Sequence, residues 1–143
     1  MAKFEYVRNL GNGGQAPAIE EFPVATTQTL VVGDLVYLSS GQVTICGNST
    51  TTVLGLMAED SASADAGTLV KVQVAQPGYL YKATADADAT DHVLAAKVYD
   101  INATTQTVDV GDNTGGCIII KELGDSTTDV RIMFTEFDLG CVN

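Results

Sequence analysis

The sequence predicts an all-β fold, a small β-barrel or sandwich with an extended N-terminal arm, and three observations carry that prediction. Hydrophobic residues make up 45% of the 143 residues and charged residues 17%, with threonine, valine and alanine crowding out lysine and glutamate, a bias toward strands. Short apolar runs cut by glycine turns follow one another from Gly33 to Val74. Within them Val70, Val72 and Val74 alternate with Leu69, Lys71, Gln73 and Ala75, the period of a strand with one buried face. A chain of this length buries roughly 68–70% of its unfolded surface, enough for a core without metal or disulfide help.

Residues 1–24 read as the arm and residues 25–143 as the β-rich core domain. The stretch GNGGQAPAIEEFPV holds three of the fourteen glycines and two of the three prolines, which resists helix or long strand. The arm also carries Phe4, Tyr6, Val7, Leu10, Ile19 and Phe22, too apolar for a solvated linker, so a surface is expected to cover it. That surface belongs either to its own domain or to a neighbour. Phe4, Tyr6 and Arg8 alternate as in a strand, with all three side chains expected on one side. Removing the arm is expected to leave a folded core.

From Thr26 onward strand follows strand. TQTLVV leads into a Gly33-Asp34 turn, and LVYL and QVTIC flank Ser39-Ser40-Gly41, a hairpin connection. Thr51 to Ala58 is an apolar strand broken at Gly55, AEDSASADAG a polar loop, and TLVKVQVA the alternating strand. Pro77-Gly78 precedes the strand YLYKAT, and DADATDH forms an acidic loop. VLAAKVYDI suits a strand or one short helix, and TQTVDV, GGCIIIKEL and DVRIMFTEF close the chain as strands. About ten strands at a spacing of roughly 8–12 residues suit a sandwich or barrel.

Charge narrows the function. Eighteen acidic residues against seven basic ones give a formal charge of −11, and the basic residues stand singly along the sequence. Phosphate neutralisation needs clustered cations, so no nucleic-acid partner is expected. The acidity keeps free subunits apart and soluble, or steers them to a basic or neutral surface. No run approaches the ~20 apolar residues of a membrane helix and no apolar centre marks a secretory signal, so no membrane partner and synthesis in the cytosol are expected. Cys46, Cys117 and Cys141 lack CxxC spacing, which argues for buried free thiols over a disulfide framework or zinc site.

Chemistry-bearing residues are sparse. The sole histidine, His92, can be paired on paper with a cysteine and Asp91, but no nucleophile turn surrounds Cys46, Cys117 or Cys141, so no catalytic residue is expected. Read as an EF-hand loop from Asp86, the glycine position holds Asp91 and the closing glutamate position Lys97. A looser site at Asp109, Asp112 and Asn113 is as well explained by aspartate turns, so no metal and no cofactor are expected. The pairs Gly13-Gly14 and Gly115-Gly116 read as turns, and the acceptor strings at Asn48 and Asn102 as chance matches.

Gly33-Asp34-Leu35-Val36, Gly55 through Asp60 and Val70 through Gly78 resemble the strand, hairpin and valine-strand pattern of tailed-bacteriophage capsid decoration, or cement, proteins. LAAKVYDINATTQTVDV and the closing GGCIIIKEL and VRIMFTEF are similar to the same group's later half, so the resemblance runs from about residue 30 to the end. It departs at Asp65-Ala66-Gly67-Thr68, where the group usually has a second Gly-Asp turn. The resemblance implies a non-enzymatic virion protein on the outer capsid surface, commonly a homotrimer, whose partner is the phage major capsid protein and which cements adjacent capsomers. Phe4, Tyr6, Arg8 and Phe22 are then the expected capsid or intersubunit contacts, because aromatics and arginine supply most interface energy. A surface-displayed carbohydrate or adhesion module, another phage part such as tail or neck, and a small barrel hydrolase remain as alternatives.

Overall fold

The computed structural model of the protein describes residues 3–10, 16–48, 50–112 and 116–138. The fold is all-β, and its antiparallel sheets fit a sandwich. One layer has the order β1 (Glu5–Asn9), β9 (Tyr79–Thr84), β13 (Asp129–Phe134), β12 (Ile118–Leu123). The other has the order β2 (Ile19–Pro23), β8 (Leu69–Val74), β6 (Gly55–Met57), β4 (Leu35–Ser39), β5 (Gln42–Ile45). Two ribbons, β3 (Thr29–Leu30) with β7 (Ser61–Ala62) and β10 (Asp100–Asn102) with β11 (Thr107–Asp109), close the flanks.

Two cores explain why some runs alternate and others are apolar throughout. The larger lies between the layers, where Phe4, Tyr79, Tyr81, Ile120, Ile132 and Phe134 meet Leu35, Val53 and Leu56. The smaller sits inside the curl of the five-stranded sheet, formed by Val24, Val36, Val43, Leu54, Met57, Val70 and Val72. Leu35 and Leu56 face the first core and Val36 and Met57 the second, so β4 and β6 are a shared wall buried on both faces. Strands in that position cannot alternate apolar with polar. The curl ends where Val24 bridges Val43 in parallel, with Ala25 N–H donating to Val43 O at 3.0 Å. Because that bridge is isolated, the sheet is curled rather than sealed as a barrel.

The hairpin expected at Ser39-Ser40-Gly41 is a two-residue turn: Ser39 pairs with Gln42, and Ser40 and Gly41 take φ of 51° and 78°. Both positive angles match the strand twist of a type I′ connection. Gly55 opens β6, so the apolar run from Thr51 to Ala58 is in strand only over Gly55–Met57, and a Cβ at Gly55 would collide with the Gln73 carbonyl of the adjoining strand. VLAAKVYDI is neither one strand nor a helix. A 3-10 turn at Thr90–His92 is followed by an irregular segment with Leu94 and Ala96 at φ 50° and 57°, and β10 begins at Asp100.

The N-terminal segment differs most from expectation. Residues 5–9 and 19–23 are edge strands of the two layers: β1 pairs with β9 and β2 pairs with β8 along its length. Of the two surfaces left open for the arm, the structure places it on its own domain. A register shift between Tyr6 and Arg8 inserts Val7 as a bulge, so Phe4 and Tyr6 point into the core while Arg8 stays out. The three side chains therefore do not share one face.

Candidate interaction surface

The four side chains expected as contacts sit at three depths. Phe4 is 1% exposed, against Phe134 at a centroid distance of 6.2 Å, and its backbone N–H is held by Gly33 O at 3.0 Å. It builds the fold and has no surface to offer a partner. Tyr6 is half-buried, edge-on to Tyr79 and Tyr81 at 5.5 and 6.1 Å, and Phe22 is half-buried on the inner core. Arg8 is exposed opposite Leu80.

Among the described residues six large hydrophobic side chains are exposed: Leu69 on β8, Leu94 after the 3-10 turn, and four others nearer the N-terminal strands. Val7, Leu10, Ile19 and Val32 are 41%, 47%, 57% and 44% exposed. Val7 is outward because of the bulge, and Leu10 follows the end of β1, its N–H bonded to Gly78 O at 2.7 Å. Ile19 and Val32 border a groove of about 240 Å³ that runs between the two edge strands, with Glu5 and Tyr6 on one wall and Gln73, Leu56 and Met57 on the other. Exposed apolar side chains beside such a groove mark contact sites. Strand periodicity alone does not reveal it, since its walls come from β1, β2, β6 and β8 together.

The other candidates resolve into local structure. Nδ1 of His92 lies 2.8 Å from the Tyr99 hydroxyl, with the rings edge to face. Cys46 and Cys117 are buried, and burial, followed by neighbouring negative groups, pushes both thiols up, Cys117 to about 12. At neutral pH both are protonated and weakly nucleophilic. The Asp88 carboxylate accepts from the Thr90 hydroxyl at 2.6 Å and its N–H at 2.9 Å, which hold it below the ordinary range. Asp109 accepts from Gly111 N–H, the self-bonding of an aspartate turn, while Asp86 accepts from Val110 N–H, 24 positions away, and ties its loop to the end of β11. Among the described residues no group of three or more His, Cys, Asp or Glu is placed to hold a metal. Asn102 turns back on the N–H groups of Thr104 and Thr105. Gly13, Gly14, Ser49, Asn113, Gly115 and Cys141 lie outside the described residues.

One polar residue escaped the sequence reading. Gln106 is 1% exposed, with φ 53°, and its side-chain amide joins Leu35, Cys46 and Ala103. A glutamine within a threonine-rich stretch gives no signal of such a role. No protein-family model matches the chain, and no curated protein matches its sequence.

Proposed function

We propose that this protein is a virion structural protein that binds the outside of an icosahedral phage head and cements adjacent capsomers, acting by surface fit rather than by catalysis. The observation that carries the reading is the set of apolar side chains left in solvent, Val7 and Leu10 at the β1 edge and Ile19 and Val32 bordering the groove between β1 and β2. A partner surface that covers them gains their burial, and a repeated lattice multiplies a modest gain per subunit. The resemblance of Gly33 through Gly78 to decoration proteins names the lattice. Trimer formation and residence on the outer capsid surface belong to the same proposal.

The test is incubation with expanded, undecorated heads. Stoichiometric uptake and a raised disruption temperature are expected; absence of uptake by any capsid lattice would sink the reading. Val7→Asp with Ile19→Asp places charge in the contact and is expected to lower uptake about tenfold or more, while both positions, being exposed, leave the fold intact.

A further inference from the structure

Four of the seven basic residues, separate in sequence, share one sheet. Tyr79, Tyr81 and Ala83 of β9 and Val130, Ile132 and Phe134 of β13 face the core, so Lys82 and Arg131 project from the opposite side of the four-stranded sheet. β12 has Ile120 and Leu123 inward with a register shift between Ile120 and Glu122, which turns Lys121 and Glu122 outward together. Arg8 joins them through the bulge in β1. The strands of this outer face thus carry Arg8, Lys82, Lys121 and Arg131 against Glu5, Glu122 and Asp129. That leaves the face at +1 and the rest of the chain at −12, out of a total of −11.

The centre of the face is unusual in detail. Glu5, Lys82, Arg131 and Glu122 form one row across the four strands, with Lys82 directly opposite Arg131. Like charges directly opposite each other are destabilising. Asp129 answers Arg131 at 2.8 Å, but among the described residues no carboxylate comes within ion-pair distance of Lys82. A chain with eighteen acidic residues has carboxylates to spare, yet among the described residues it sets no ion pair on Lys82, whose charge acts on Asp129 from beyond that distance.

We propose that this outer face, centred on Lys82 and Arg131, is the docking face for a carboxylate-bearing protein surface, with one partner carboxylate seated between the two cations. The occupant is a protein rather than a polyanion. Glu5, Glu122 and Asp129 are interleaved with the cations and would oppose a phosphate backbone, whereas a protein surface supplies discrete carboxylates and covers the half-buried Ile119 and Met133. The assignment rests on the capsid reading above for the partner's identity, the outer coat surface, and it extends the contact from the β1 edge onto the sheet beside it.

The test measures uptake of Lys82→Glu, Lys82→Gln and, as control, Lys71→Glu on the exposed side of β8 by expanded, undecorated heads at about 50 and 300 mM salt. Lys82→Glu is expected to lose about tenfold or more in affinity at low salt, Lys82→Gln less, and Lys71→Glu under about threefold, with wild-type affinity falling as salt rises. All three keep the wild-type melting temperature within about 2 °C because the positions are exposed. Wild-type uptake that Lys82→Glu leaves unchanged overturns the docking face and spares the capsid reading. Loss of self-association with uptake intact assigns the face to a second copy and overturns it too. No uptake of the wild type overturns the capsid reading and this assignment together.

Discussion

Gln106 holds three backbone segments with one amide: Oε1 accepts from Leu35 N–H at 2.9 Å, and Nε2 donates to the carbonyls of Cys46 at 3.1 Å and Ala103 at 3.2 Å. Gln106→Leu fills similar space but strands the Leu35 N–H and Cys46 carbonyl, at about 1–3 kcal/mol each. A fall in melting temperature of about 10 °C is expected, with little change on the outer face. Tyr81 is the reverse case. Its ring is fully buried, and its hydroxyl has no hydrogen-bond partner among the described residues. Tyr81→Phe removes an uncompensated polar atom, so thermal unfolding is expected unchanged or a few degrees higher. A loss of more than a few degrees would show that the hydroxyl is bonded. The buried thiols set an alkaline limit: their folded pKa values lie above the ordinary 9.0, Cys117 at about 12. Groups raised on folding contribute fully below the unfolded pKa and lose that contribution as pH rises through the folded one. The urea midpoint is therefore expected to drop between about pH 9 and pH 12, and less steeply in Cys117→Ala.

At the scale of elements, the N-terminal strands are parts of both layers, and removing residues 1–24 takes away more than a tail. The deletion strips Phe4 from the core, worth about 3–5 kcal/mol by itself, and exposes the edges of β8 and β9. Circular dichroism and gel filtration of the truncated chain are expected to show an unfolded or aggregated protein, whereas a soluble, cooperatively melting product would return the segment to the status of an arm. Several strands between Thr29 and Phe134 were legible because glycine turns and apolar runs are local signals: the Ser40-Gly41 hairpin and the alternation of β8 follow from neighbouring residues alone, whereas β7 lies inside the stretch expected as a polar loop. β1 and β2 were not, because the glycines between them mask two five-residue strands whose partners lie about 75 and 50 positions away, a separation no local pattern records. Gly55 does two things, of which the sequence records one: β6 begins at it, a local signal, and it lets β8 approach, which shows only once the neighbour is known. The same limit applied to the site, where the outward turn of Val7 and Arg8 depends on a bulge set by pairing with β9.

Over the whole molecule the charge is both large and segregated, and only its size was readable from the sequence. A net charge of −11 makes the folded state repel itself, while the outer face of the four-stranded sheet stands at +1. These two facts give salt opposite effects on two measurements. Raising ionic strength from about 10 to 150 mM shortens the screening length from about 30 to 8 Å, which relaxes repulsion among carboxylates spread over the acidic remainder. The melting temperature of the free protein is therefore expected to rise by a few degrees over that range. Docking through Lys82 and Arg131 relies on attraction across a contact and is expected to weaken over the same range. Lys82→Glu takes the net charge from −11 to −13, so its melting temperature is expected to depend more steeply on salt while its head uptake depends less. Thermal melts and head-uptake isotherms on the same salt series check both limbs. If wild-type stability and uptake moved in the same direction with salt, the basic sheet face and the acidic remainder would not be acting as separate surfaces, and the charge asymmetry would have no part in attachment.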